Sequence, residues 1–593
     1  MTHAEKLSAI RHLMDEQHID AYIIPLSDPH ISEYLPEHYQ CIAWVCGFTG
    51  SAGTIVITKE FAGLWTDSRY FVQANSQLSG TGFELVKLRA QGAAEYADWL
   101  AGQLPGSSVV AFDGKLASVL LAHTVSEKLT PLGMTVRGNA DLITQLWQGR
   151  PPLPDNPAYL LDQSITGEST EEKLRRLRGE MEKQQVQAHF ISSLDDLAWL
   201  FNIRGSDVAC NPVVLGFALI TPVTATLFIS GTKLSDQDSN VLTQQGVTLA
   251  DYHASGPALK ALPSGARLLL DPKRTCFAQY QQVPAGNAIV EQLNPTTRFK
   301  AVKNEVELAH TRNTMIKDGV ALTRFFKWLE EAVGREKITE ISIAEKLQGL
   351  RAAQEGFVGE SFDTIAGYKA HGALPHYKAT PASDVELGAE GLLLVDSGGQ
   401  YRTGTTDITR VVSLGKTTDA ERTDYTLVLK AMITGSTTVF PVGTRGYQLD
   451  AITRKPMWDQ LRNYGHGTGH GVGFFLNVHE GPHVFNPSSV DVVVEPGTIT
   501  SIEPGLYREA QYGIRIENLV LAATNENTAF GAFMAFETLT LCYIDTALVD
   551  KTLLDEPQIH WLNSYHATVF ERLAPHLDES ERQWLAGKTA AIR

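Results

Sequence analysis

LLLVDSGGQYRTGTTDITRVVSL, residues 392–414, sets two aspartates, Asp396 and Asp407, inside apolar β-type runs separated by a glycine-rich turn. The pattern predicts a hairpin whose adjacent strands turn both carboxylates the same way. An aspartate inside an apolar strand is costly to bury unless a cation or hydrogen bonds compensate it. TITSIEPGLYREAQYGIRIENLVLA, residues 498–522, repeats the arrangement with Glu503 and Glu517 beside isoleucines. Four convergent carboxylates repel one another at neutral pH unless their pKa values move far. A pair of divalent cations removes that conflict.

Between the two segments, residues 465–482 read GHGTGHGVGFFLNVHEGP, with His466, His470 and His479 spaced by glycines. Glycine collects where a backbone bends sharply or approaches something closely. His466 and His470 are four apart, yet no helix is stable over this composition, so the helical zinc motif is excluded. One histidine added to four carboxylates makes a set of mainly hard oxygen donors, which favours manganese-like ions, with cobalt or zinc possible. Two such ions sharing carboxylates can hold a hydroxide and polarise a carbonyl. Alone, DSGG is equally a turn and IEPG equally a strand end; their joint occurrence with the glycine-histidine loop carries the reading.

Outward from these motifs, 593 residues are too many for one core, and three units fit the pattern. A net charge of −17 argues against nucleic acid as the main partner. Five scattered cysteines without a CxxC pair support neither a disulfide framework nor a cysteine zinc site, and fit a reducing compartment. The N-terminus lacks the apolar centre of a signal peptide. The most hydrophobic stretch, VVLGFALITPVTATLFIS at 213–230, carries Pro222 near its middle and reads as two buried strands around a turn. A cytoplasmic protein with no membrane span is expected.

A repeat is visible upstream. AEKLSAIRHLMDEQHIDA (4–21) lies over EEKLRRLRGEMEKQQVQA (171–188) at a constant offset of 167, and both are amphipathic helices leading into apolar strands. The simplest account is a duplicated α/β domain. The expected organisation is an N-terminal α/β domain at 1–150, a second, duplicated one at 151–305 after the proline-rich GRPPLPDNP, and a large α+β domain at 306–593 that begins with a long helix from 303.

The order Asp396, Asp407, His470, Glu503, Glu517, within VDSGGQYRTGTTDITR, HGTGHGVGFFLNVHEGP, SIEPG and GIRIENL, resembles the pita-bread metallopeptidases, and more narrowly the long, three-domain cytosolic Xaa-Pro aminopeptidases. FTGSAGTIVIT, LWTDSRYF, LAWLFNIRGSDVACNPV, FETLTLC and WLNSYH extend the likeness over nearly the whole chain. The resemblance implies two creatinase-type N-terminal α/β domains before a pita-bread α+β catalytic domain with a C-terminal extension. It implies that Asp396, Asp407, His470, Glu503 and Glu517 bind two manganese ions, with Asp407 and Glu517 bridging them. Glu503 would also be the general base toward the bridging hydroxide. His376, His466 and His479 would surround the substrate, His479 stabilising the tetrahedral intermediate, with Arg515 as polar support in the substrate site. The implied activity removes the first residue from peptides with proline second, in a homodimer. Arg69 could then border the active site across that dimer; the plain alternative pairs it with Asp67 on a surface. The glycines would fold the backbone closely around His470 and leave room for a flat proline ring. Prolidase action is a near variant, and a scaffold on a retired peptidase fold is disfavoured because all five ligand positions are intact.

Overall fold

The computed structural model describes residues 1–89, 92 and 94–593, which form two compact units: Met1–Gln163 with Glu168–Thr297, and Ser164–Gly167 with Arg298–Arg593. The first contains two six-stranded sheets of the same order. Edge to edge, one runs Glu84–Lys87, Ala62–Thr66, Thr54–Thr58, Ala21–Pro25, Val109–Phe112, Thr135–Arg137; the other runs Val247–Ala250, Ala225–Phe228, Phe217–Ile220, Ala188–Ile191, Arg267–Leu270, Ala288–Glu291. In both, the central strand pairs antiparallel on one side and parallel on the other.

The duplication reaches single side chains. Thr2 and Ser169, 167 residues apart, each close a capping box with Glu5 and Glu172. His18 and Gln185, at the same offset, both take positive φ where the helix turns into its strand. Arg11 and Arg178 donate to the carbonyls of Thr58 and Thr221, and Lys6 and Lys173 to those of Trp44 and Trp199. The hydrophobic stretch around Pro222 forms the antiparallel pair Phe217–Ile220 and Ala225–Phe228. Among the described residues no helix is long and apolar enough to cross a membrane.

In the second unit the long helix that the apolar spacing predicts is Glu305–Ala332, and it opens with Asn304 in a capping box with Glu307. Ile365–Tyr368, Leu392–Ser397 and Ile408–Ser413 form one antiparallel sheet. A six-stranded sheet follows in the order Phe440–Pro441, Gly531–Thr538, Asn518–Thr528, Ile499–Ile502, Gly469–Gly471, Glu480–Phe485. One hydrophobic core joins both sheets to Glu305–Ala332 and Asp419–Thr437. This is the pita-bread arrangement.

The simple two-hairpin picture needs correction. Only Asp396 lies inside a strand. Asp407 sits between Gly404–Thr405 and Ile408–Ser413, and Glu503 and Glu517 lie just past the last paired residues, Ile502 and Asn518. The excursion between them forms its own hairpin, Gly505–Arg508 with Tyr512–Arg515. Breaking the ladder frees backbone groups for other ties: Glu517 N–H donates to Thr409 O of the three-stranded sheet at 3.1 Å, and Glu503 N–H donates to Thr468 O, in the loop before Gly469–Gly471, at 2.7 Å.

Two buried arginines hold this frame. Arg351 grips Asp318 of the long helix through two bonds, and Tyr401, between the two aspartates, donates to the same carboxylate. Arg410 donates to the carbonyls of Thr409, Glu517, Cys542 and Tyr543, to Asn518 and to Tyr565. Tyr565 belongs to helix Glu556–Leu573, whose apolar stripe packs into the core of the same unit.

His566 on that helix accepts from Ile544 N–H, and burial, with help from Arg410, lowers its pKa from 6.5 to about 4. The unfolded chain therefore takes up this proton first, and the stability it represents is present above pH 6.5 and lost as pH falls toward 4, at about 1.4 kcal/mol per pH unit. Denaturant titrations should show the stability advantage of wild type over His566→Gln shrinking by about 2 kcal/mol between pH 7 and pH 5. A difference that does not change with pH would contradict a neutral buried imidazole.

Candidate metal centre

The strand breaks converge. Asp407, His470 and Glu517 each offer a ligand atom, and these atoms all lie within 4.8 Å of one another. His470 Nε2 stands 3.5 Å from Asp407 Oδ2 and 3.3 Å from Glu503 Oε1. Its other ring nitrogen, Nδ1, is 2.9 Å from the carbonyl of Gly471, so Nδ1 carries the proton and Nε2 faces the carboxylates. Asp396 joins through Arg515, whose guanidinium donates to Asp396 Oδ2 and to Thr409 Oγ1; Thr409 in turn donates to Glu517 Oε2 at 2.8 Å. The five side chains named from the sequence are thus brought into one cluster.

Its electrostatics are strained. Burial, and then the charges of neighbouring carboxylates, push Asp407 and Glu517 well above the usual carboxylate range. Burial also raises Asp396, with Arg515 opposing. Glu503 goes the other way: burial would raise it, but the hydrogen bond and charge of His470 bring it down to about 2. The same pairing overcomes burial at His470 and lifts it to about 9. Among the described residues, Asp396 Oδ1 and Glu517 Oε1 find no hydrogen-bond partner although both are buried. Orphaned carboxylate oxygens are rare in folded interiors, and hard divalent cations are their natural partners. The residues fit a metal.

The glycines answer to close packing of backbones. A Cβ at Gly469 would lie 1.8 Å from Ser501 O, and one at Gly471 would lie 2.3 Å from Glu480 O. His470 therefore rides on a strand pressed against both neighbours. Its backbone N–H donates to Ser501 Oγ, which itself donates to Glu503.

The remaining residues expected from sequence divide. His479 stands beside His470, ring centroids 4.4 Å apart and perpendicular, and is partly open to solvent. His376 follows Pro375, whose carbonyl accepts from Arg515. His466 is committed at both ring nitrogens, to Gly467 O at 2.7 Å and to Tyr507 OH at 2.8 Å, and burial lowers its pKa to about 4. Arg515 is 3% exposed and bonded to Asp396, Thr409, Tyr507 and Pro375. It anchors the cluster and offers no open face to a peptide. Arg69 lies in the other unit, in a two-bond pair with Asp67 that is largely buried, not on an open surface.

Sequence reasoning missed Thr409, Ser501, Tyr507 and Arg410. A hydroxyl next to a carboxylate in TTDITR or TSIEPG carries no signal of its own; Arg410, charged in an otherwise apolar strand, was the one visible clue.

A pita-bread fold around a buried cluster of carboxylates and one imidazole defines a metal-dependent hydrolase. Residues 309–524 match the model of metallopeptidase family M24, and 532–592 match the C-terminal region of that peptidase. Residues 6–137 and 149–307 each match a creatinase/prolidase N-terminal domain. Proteins named probable Xaa-Pro aminopeptidase P from Neurospora crassa and Verticillium alfalfae are 37% and 38% identical, over 99% of this chain and 89% and 99% of their own. The structure of an X-prolyl aminopeptidase from Caenorhabditis elegans, described as a cytosolic enzyme with a di-nuclear active site, matches with a TM-score of 0.94 at 33% identity over 100% of both chains. The chain belongs to metallopeptidase family M24, among the Xaa-Pro aminopeptidases.

Gly469→Ala should force this strand from its neighbour and displace His470. Elemental analysis is expected to find the bound divalent metal reduced at least tenfold with the fold retained by circular dichroism. Full metal content in that variant would contradict the packing argument.

Proposed function

We propose that the chain is a metal-dependent aminopeptidase that releases the first residue of peptides with proline in the second position. In this reading Asp396, Asp407, His470, Glu503 and Glu517 would hold two divalent ions, and manganese suits the hard donor set best. The observation that carries it is the convergence of Asp407, His470 and Glu517, with Glu503 against His470 and Asp396 held by Arg515, and with two buried, unpartnered carboxylate oxygens. Full-length similarity to proteins bearing that activity in their names supports the substrate class.

When bound, the ions supply Lewis acidity toward the scissile carbonyl and an acidified water. The chain's own residues do the rest. Glu503, oriented by the Ser501 hydroxyl, would accept the proton of the attacking water. His479, partly exposed beside His470, donates to the oxygen on which charge develops. His376 follows Pro375, whose carbonyl Arg515 holds, and would meet the substrate from there. His466 braces Tyr507, and through it Arg515 and Asp396.

A cytosolic homodimer belongs to the same proposal. The five cysteines are all free, as a reducing compartment favours. Ile452, Trp458 and Leu461 are exposed large apolar side chains close in sequence, which a second copy would cover.

A purified sample given an Xaa-Pro-Xaa tripeptide and the matching Xaa-Pro dipeptide should release the first residue of the tripeptide. Activity should vanish on chelation and return with manganese. Turnover confined to the dipeptide would instead assign prolidase action, and release unaffected by complete metal removal would refute the proposal.

A further inference from the structure

Residues 463–468, which lead into the strand bearing His470, form neither helix nor strand. A loop of this kind has carbonyls and amides that no ladder satisfies, and each must find a partner. Here the partners come from helix Gly446–Trp458. Arg454, 2% exposed, donates to the carbonyl of Tyr464 at 2.8 Å, to Asn463 Oδ1 at 3.2 Å and to the carbonyl of His466. Its guanidinium lies 3.8 Å over the Tyr464 ring. One turn earlier, Asp450 binds Arg454 Nε at 2.8 Å through one oxygen and receives Thr468 N–H at 3.2 Å on the other.

From this pair the contacts run into the site. Tyr464 OH meets Thr468 Oγ1, and Thr468 O receives the backbone N–H of Glu503. His466, held by its own carbonyl, contacts Tyr507 OH, which accepts from Arg515, the anchor of Asp396. The loop thus ends on the backbone of the general base on one side and on the Arg515 anchor on the other. His470, by contrast, is fixed independently by strand pairing on both sides of Gly469–Gly471.

We infer that Asp450 and Arg454 are positioning residues of the peptidase: a buried ion pair that templates loop 463–468 and through it sets Glu503 and the His466–Tyr507–Arg515 chain, without holding the metal. The inference rests on the aminopeptidase reading for its kinetic consequence, while the templating of the loop stands by itself. A buried ion pair is weak evidence for stability, because desolvation offsets the attraction. Its value here lies in geometry. Only a planar fork can serve Asp450, two carbonyls and an amide oxygen at once; a lysine keeps the charge and loses that pattern.

The test is Arg454→Lys in the full-length metal-loaded protein, compared with wild type for metal content, amide hydrogen exchange over 463–468, and kcat and KM on an Xaa-Pro-Xaa tripeptide. The expected result is unchanged metal content, exchange over the loop at least tenfold faster, and kcat lowered at least tenfold with KM moving less than threefold. Loop exchange at the wild-type rate would overturn the inference whatever the kinetics, and so would a loosened loop with wild-type kcat. Should Arg454→Lys fail to load metal, Asp450→Asn, which keeps the guanidinium but removes the counter-charge and one of the two oxygens that serve Arg454 Nε and Thr468 N–H, is judged by the same criteria. Loss of metal there as well would overturn the independence of His470. A wild-type protein inactive on every Xaa-Pro peptide would sink the aminopeptidase reading, and the exchange rates would still decide the templating.

Discussion

The catalytic unit is organised around one electrostatic problem: three buried carboxylates and a partly buried fourth within reach of one another, with too little positive charge among them. Arg515 and His470 are the cations at hand, and each is already spoken for, one by Asp396 and the other by Glu503. Asp407 and Glu517 are left resisting ionisation, and two carboxylate oxygens are left without hydrogen bonds. Divalent ions resolve all of this at once. The surrounding structure is what keeps the carboxylates from relaxing apart: Arg410 and Thr409 fasten Glu517, Ser501 fastens Glu503, and Tyr401 with Asp318 and Arg351 fastens the loop between the two aspartates.

These fastenings also explain why the sheet is broken where it matters. A continuous ladder would spend the backbone groups of residues 407, 503 and 517 on neighbouring strands. Interrupted, Glu517 and Glu503 use their N–H groups to tie one sheet to the other and one loop to the site. The glycines at 469 and 471 serve the same end by letting the His470 strand press closer to its neighbours than any side chain allows.

Much of this was legible in the sequence, and the boundary is physical. Carboxylates in apolar strands are expensive, so Asp396, Asp407, Glu503 and Glu517 stand out, and a duplicated domain shows as identical residues at a fixed offset. The offset proved to reach further than identity: Thr2 and Ser169 do the same capping with different hydroxyls. The supporting shell was not legible. Thr409, Ser501 and Tyr507 are ordinary residues whose roles depend on contacts from distant parts of the chain, and Arg515 reads as substrate-facing until its donors are seen to be engaged inside the protein. The strand breaks were missed for a related reason, since apolar periodicity runs through Ile502 and Ile516 without marking where pairing stops. The apolar stripe of 550–593 is equally mute about what it packs against; the contacts of Tyr565 and Leu573 decide for the unit's own core.

The central claim is that the five side chains form a nest for two divalent ions. Anomalous diffraction at the manganese edge, from crystals grown with that metal, tests it most directly. The account requires two peaks, each within about 2.0–2.6 Å of oxygens from this set and with His470 Nε2 on one of them. No anomalous density among Asp396, Asp407, His470, Glu503 and Glu517, with ions bound elsewhere or not at all, would contradict it.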